Sequence, residues 1–238
     1  SKFKGVKANA WIEIDTGYNR SGIIWNDLNQ IEECIQTITK SKNLDFCGFL
    51  THNGETYSLN NQSEILHSSQ KSIDKMKQLK LHFKSFNPLI SIGDTPGCSL
   101  LTDFTYIDEI RPGNFVYYDL MMLEKQVCSL DQIAATVFCP IVDIHPERNE
   151  IVIHGGAVHF SKESLIIDNK IVYGRAIKHI TGETSEINEH LVSLSQEHGI
   201  VEIKNSEISN YNIGDLVEII PVHSCLTANL MKNKTLHY

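Results

Sequence analysis

The sequence is short of the features that would send it to a membrane, a nucleic acid or the cell exterior. No stretch of its 238 residues approaches the roughly 18 consecutive apolar residues that a membrane helix needs. The opening Ser1-Lys2-Phe3-Lys4-Gly5 has no signal-peptide pattern and does not begin with Met. Basic runs are absent: 21 Lys plus Arg stand against 29 Asp plus Glu, a formal net charge of -8, so no nucleic acid is expected as a partner. The six cysteines, Cys34, Cys47, Cys98, Cys128, Cys139 and Cys225, form no C-x-x-C pair, which fits reduced thiols rather than a disulfide framework. Internal repeats and low-complexity segments are lacking as well. These absences point to a soluble cytoplasmic chain with no membrane partner. What is present, 41% hydrophobic and 21% charged residues, suffices for a core in one or two compact domains and excludes disorder.

The first hundred residues alternate between two periods. Trp11 to Asp15 is a short strand-like run, followed by the Gly-bearing turn Thr16 to Gly22. From Asn26 or Asp27, both plausible N-caps, Leu28, Ile31, Ile35 and Ile38 recur at helical spacing. Leu44 to Leu50 is a second strand. A long helix over about 62–84 follows, carrying Ile65, Leu66, Ile73, Met76 and Leu79, and Pro88 to Gly93 is the third strand. This order predicts a parallel sheet with helices packed over it. Phe115 to Met122 reads as a fourth strand, reached through the turn Arg111-Pro112-Gly113-Asn114. After about Lys125 short β-branched runs take over. Hairpins are expected around Pro146 to Asn149 and around Asp168-Asn169, with further strands at Val201 to Ile203 and Leu216 to Val222. A domain boundary is placed there, giving domains 1–125 and 126–238.

Parallel α/β sheets hold ligands at the carboxyl ends of their strands. The three turns at those ends carry Asp15, Gly17 and Arg20; His52, Gly54 and Tyr57; and Gly93, Asp94 and Thr95. Any one of them is also an ordinary turn composition. Arg20 reads either as a surface ion-pair partner or as a fixed cation for a carboxylate or ring nitrogen. His52 reads either as a histidine at a core margin or as a site residue. Ser91 to Pro96 offers a hydroxyl and backbone N–H groups suited to phosphate, although Asp94 would repel one if it faced inward. In Pro221-Val222-His223-Ser224-Cys225, strand alternation would turn His223 and Cys225 to one side, an N/S pair suited to Zn(II), while a buried cysteine beside an incidental histidine is the plainer reading. His154, His159, His179 and His198 have spacings that define no site.

Several of these segments match one family in order: Ile14 to Gly17 with Arg20 and Gly22, Gly48 to His52 with Gly54 and Tyr57, and Ser91 to Gly93 with Thr95-Pro96. Arg111 to Phe115 through Tyr118-Asp119, Ser195 to Gly199, and His223 to Ala228 continue the match. Over nearly all its length the chain resembles the metal-dependent pyridoxal-phosphate enzymes that include eukaryotic-type D-serine dehydratase and D-threonine aldolase. Their larger domain is an alanine-racemase-like barrel. The resemblance implies a fold of class α/β plus β: a partial (β/α)8, TIM-type barrel followed by a mostly β C-terminal domain. It implies that Arg20 lies against the cofactor ring or the substrate carboxylate and His52 beside the ring, that Tyr57 is a cofactor-pocket residue placed to assist proton transfer, and that Ser91, Gly93 and Thr95, with Gly113 and Asn114, hold the phosphate. His223 and Cys225 would be the metal ligands, for Zn(II) or Mn(II). Aldolases of the family tend to carry an aspartate in place of Cys225, which tilts the expectation toward dehydration.

The activity so implied is that of a lyase acting on β-hydroxy-D-amino acids, D-serine dehydratase-like, with retro-aldol cleavage or a non-catalytic module as the alternatives, in a homodimer. Two departures stand out. Glu55 occupies the place of a second histidine, and no lysine matches the family's Schiff-base position, Lys2, Lys4 and Lys7 lying just ahead of the first matching strand. With the absent Met, this leads to the expectation that an N-terminal half-barrel bearing that lysine lies outside the 238 residues.

Overall fold

The computed structural model describes residues 6–181 and 184–232. Lys2 and Lys4 lie outside the described residues. The chain divides into two compact units, Ser1–Phe115 and Val116–Tyr238, each with its own core.

In the first unit, β1 (Ala8–Asp15), β2 (Ile23–Ile24), β3 (Leu44–His52), β4 (Leu89–Gly93) and β5 (Glu109–Ile110) form a parallel sheet ordered β2-β1-β3-β4-β5. Helix α1 (Leu28–Lys40) begins where the Asp27 carboxylate accepts the Gln30 N–H, and it buries Ile31 and Ile35 at helical spacing. Helix α2 (Gln62–His82) begins likewise at Asn61 and buries Ile65, Ile73, Met76 and Leu79, while Leu66 stays 37% exposed. Of these, Ile31, Ile35, Ile73, Met76 and Leu79 join Ile12, Ile14, Phe49, Ile90 and Ile92 from the sheet in one core, at the apolar spacing read from the sequence.

The fourth strand is not where the pattern predicts it. Phe115 to Met122 forms no strand: a 3-10 turn at Asn114–Val116 leads to α4 (Leu120–Glu124), and the edge pairing falls to Glu109 and Ile110. Two local features override the alternation. Tyr118 takes a left-handed φ of 48°, which breaks any extended run, and the Asp119 carboxylate accepts the Met122 N–H at 3.0 Å, starting a helix. A short helix α3 (Thr95–Leu100) follows β4.

The second unit is a closed antiparallel barrel of six strands in the order β10-β11-β12-β7-β6-β13. These are β6 (Val137–His145), β7 (Glu150–Ile153), β10 (Gly174–Ile180), β11 (Thr184–Leu194), β12 (Gly199–Glu202) and β13 (Leu216–Pro221). A separate two-stranded hairpin, β8 (Leu165–Ile167) with β9 (Lys170–Val172), turns at Asp168 and Asn169, whose φ values of 50° and 60° are those of a tight primed turn. Val137, Cys139, Ile141, Ile151, Ile153, Leu191, Val201, Val217 and Ile219 are among the residues that fill the barrel. Pairings of Gly174 with Pro221 and of Val137 with Ile219 put the end of β13 at the rim where β10 and β6 start. Helices α5 (Ala157–Phe160) and α6 (Ser224–Met231) lie together there. No helix among the described residues is long and apolar enough to cross a membrane.

Candidate active site

Because β1, β3, β4 and β5 are parallel, their carboxyl ends open on one edge of the sheet, and the loops leaving that edge are tied to one another. After β1, the Asp15 carboxylate accepts the Gly17 and Asn19 N–H groups at 2.8 and 3.1 Å, which fixes a turn that presents Tyr18 and Arg20. His52 is the last residue of β3. Its ring stacks on Tyr57 with centroids 6.1 Å apart and meets the edge of Tyr18 at 5.9 Å. Tyr57 sits in the 3-10 helix Gly54–Ser58, and its hydroxyl oxygen accepts the Thr95 N–H at 3.0 Å. Thr95 in turn accepts the Asn114 N–H on Oγ1 at 2.9 Å. Arg111, one residue past β5, donates from Nε to Ser91 at 2.7 Å and from Nη2 to the Thr51 carbonyl at 2.9 Å. Its guanidinium crosses Gly93, where an added Cβ would stand 3.0 Å from it.

The electrostatics follow from burial and from the two guanidinium groups. Burial lowers the pKa of His52, Arg20 and Arg111 lower it further, and a hydrogen bond with the Gly93 backbone works the other way. Burial pushes Asp94 up to about 6. Its carboxylate caps α3 by accepting the Gly97 N–H at 2.6 Å and also accepts the Thr56 hydroxyl at 2.9 Å. Asp94 is therefore committed to the start of α3 and to Thr56. Glu55, the residue in place of a second histidine, accepts the Ser68 hydroxyl at 2.8 Å.

In the second unit His223 is the N-cap residue of α6 and Cys225 lies in its first turn. The alternation argument for this pair is corrected: β13 ends at Pro221, so the two share a helix start rather than one face of a strand. Burial raises the Cys225 pKa and the Asp119 charge raises it further. Asp119 Oδ2 accepts the Ser224 N–H at 3.2 Å while Oδ1 caps α4, so one buried carboxylate holds two helix starts. At the same rim the His154 ring lies 5.3 Å from His159 and 5.8 Å from His198. His179 is paired with Asp215 at 2.8 Å instead. Among the described residues no group of three or more His, Cys, Asp or Glu is arranged to hold a metal ion.

The structure thus gathers Arg20, His52, Tyr57, Gly93, Thr95, Gly113 and Asn114 at the sheet edge. Ser91 lies deeper, fully buried, with its hydroxyl donating to Glu109 at 2.5 Å and accepting from Arg111. Sequence reasoning passed over Tyr18 and Arg111 as site residues. Arg111 carried a usable signal, an arginine at the head of a Pro-Gly turn. The misplaced fourth strand hid it, because it put that turn before a strand instead of after one.

Residues 1–120 match the family described as alanine racemase, N-terminal domain, and residues 134–236 match the putative serine dehydratase domain. The chain belongs to the alanine racemase N-terminal domain family. It is 31% identical to a D-serine dehydratase of Dictyostelium discoideum, over 95% of this chain and 60% of that protein. It is 28% identical to a D-serine dehydratase of Schizosaccharomyces pombe, over 92% and 54%. The chain therefore spans little more than half the length of these curated relatives. A crystal structure of an alanine racemase-like protein from Idiomarina loihiensis aligns with a TM-score of 0.82 at 26% identity, over 94% of this chain and 60% of that one. D-threo-3-hydroxyaspartate dehydratase from Delftia aligns at 0.81 and 23%, over 93% and 60%, and a cysteine variant of it has been solved in a metal-free form.

Proposed function

We propose that this chain supplies the cofactor-facing sheet and the metal-binding domain of a pyridoxal-phosphate- and metal-dependent lyase that dehydrates β-hydroxy-D-amino acids such as D-serine. The observation that carries the reading is the convergence of four parallel strand ends on Arg20, His52, Tyr57, Thr95, Arg111 and Asn114. The five-stranded sheet is read as part of a (β/α)8 barrel. The donor set suits an anionic aromatic cofactor: two guanidinium groups flank an imidazole face, and Gly113 leaves open space where a Cβ would meet nothing within 4 Å. When bound, pyridoxal phosphate supplies an electron sink for the α-carbanion and a divalent metal supplies a Lewis acid for the departing β-hydroxyl.

The chain's own residues would do the rest. His52 presents a flat neutral ring to the cofactor ring, and Arg111, oriented by Ser91 and Thr51, supplies a fixed positive charge. Arg20 orients the substrate carboxylate. Tyr57, its oxygen fixed by the Thr95 N–H, moves a proton at the phenolic oxygen. Thr95, Gly113 and Asn114 hold the phosphate. His223 and Cys225 would bind the metal, and an imidazole with a thiol favours Zn(II). All six cysteines are free, which suits a reducing compartment such as the cytoplasm. The Schiff-base lysine is assigned to the part of the relatives' length that this chain does not span.

The test is product analysis on the intact gene product loaded with pyridoxal phosphate and zinc. D-serine is expected to give a keto acid and ammonia, and chelation to abolish the reaction. Cys225→Ala is expected to keep the cofactor band while losing zinc and activity. Glycine and an aldehyde from D-threonine without ammonia would overturn dehydration in favour of retro-aldol cleavage, and absence of a cofactor band would overturn the enzyme reading itself.

A further inference from the structure

Tyr18 is the best-defined side chain at the sheet edge to which no role has been given. The loop that carries it takes a φ of 128° at Gly17, which glycine adopts without strain, and a left-handed φ of 59° at Asn19, and the Asp15 carboxylate clamps both N–H groups. Its ring lies directly on Gly54: a Cβ built there would fall 2.2 Å from Tyr18 Cε1 and 2.3 Å from Cζ, so a larger residue would push the ring aside. Held there, the ring turns its edge to His52 and has the Arg20 guanidinium carbon 5.7 Å from its centroid. Among the described residues the one ion-pair contact of Arg20 is Glu13, 4.0 Å away and already engaged by the Ser21 hydroxyl at 2.8 Å.

We propose that Tyr18 is a positioning residue that holds the Arg20 guanidinium beside His52, the imidazole read above as facing the cofactor ring. The proposal rests on the reading of His52 given above. The charged and titratable groups around the imidazole are Glu13, Tyr18 and Arg20 from the β1 side, Tyr57 from the 3-10 helix after β3, and Arg111 from the end of β5. From β4 the Gly93 backbone reaches it. Arg111 is fixed by two hydrogen bonds to Ser91 and Thr51, whereas Arg20 is half exposed and has the Tyr18 face as its platform. A neutral imidazole leaves Arg20 and Arg111 as the only cations meeting an anionic ligand there, and it stacks on an aromatic ring without competing for the phosphate.

The test is an NMR titration of the His52 ring in the cofactor-free chain, with His52→Gln to assign the signal. In Tyr18→Ala the His52 pKa is expected to rise as Arg20 is released, and in Tyr18→Phe, which keeps the aromatic face, to stay at the native value. If Tyr18→Ala does not fold, Tyr18→Leu keeps the bulk, loses the face and is expected to show the same rise. In an Arg20→Gln background the Tyr18 substitution is expected to have no further effect. An unchanged His52 pKa in folded Tyr18→Ala or Tyr18→Leu overturns the proposal. So does a rise that persists without Arg20, since the ring would then act by covering His52. The titration needs no cofactor and no turnover, so failure of the lyase reading would leave its result intact.

Discussion

Asp94 shows how one residue's surroundings set a measurable pH response. It is 4% exposed, its carboxyl is pushed up to about 6 by burial against an ordinary 3.8, and it accepts from Gly97 and Thr56. A folded pKa above the unfolded one means that the unfolded chain gives up its proton first as pH rises. The contribution to stability is then largest below about pH 4 and falls away between about 4 and 6, by roughly 3 kcal/mol in all. Asp94→Asn can still accept the Gly97 N–H but cannot ionise. Urea midpoints measured at several pH values should therefore show the native chain losing stability relative to Asp94→Asn across that window, and parallel curves would refute the account. The residue type was legible as a phosphate hazard at a strand end. Its orientation was not, because only the fold brings Thr56 and the start of α3 to it.

At the level of elements, the sheet depends on a close approach that no pattern of apolar residues reveals. Gly48 in β3 faces Leu89 in β4, and a Cβ at Gly48 would lie 2.0 Å from the Leu89 carbonyl oxygen. Both partners are backbone in a hydrogen-bonded ladder, so neither can swing aside. Gly48→Ala is accordingly expected to cost about 3 kcal/mol or more, read as a lowered denaturant midpoint, and to perturb His52 at the end of the same strand. The helices were legible because α1 and α2 repeat one buried face. Strand β11 was not. Its inward position 189 is a glutamate whose carboxylate is paired, accepting the N–H groups of Lys204, Asn205 and Ser206, so the strand reads as polar even at a buried position. The failed strand at Phe115 to Met122 is the converse, an alternating apolar run overridden by the left-handed Tyr118 and the capping Asp119.

For the whole molecule, order along the chain was more informative than any single spacing. His223 and Cys225 are two positions apart, which by strand geometry would have aligned them, yet they share a helix start; what identified the segment was its place after the last strand of a β domain, following Arg20, His52 and Tyr57 in sequence. The same ordering leaves one residue type unaccounted for, because no lysine of the chain matches the position that anchors pyridoxal phosphate in the resemblance. Lys75 shows why proximity alone is a poor substitute. Its Nζ reaches the β1 end, but from α2 on the helical side, donating to the Thr16 carbonyl at 2.6 Å and lying 5.7 Å from the Trp25 ring, so its role is to pin the loop base. After excess pyridoxal phosphate is dialysed away and borohydride is then added, these 238 residues should therefore carry no stoichiometric pyridoxyl group at any one lysine, only the scattered trace that free aldehyde leaves on exposed lysines. Mass spectrometry of peptides decides the matter: one pyridoxyl-lysine per chain at a single position would put the anchoring lysine inside this sequence and overturn its assignment to the unspanned part of the relatives.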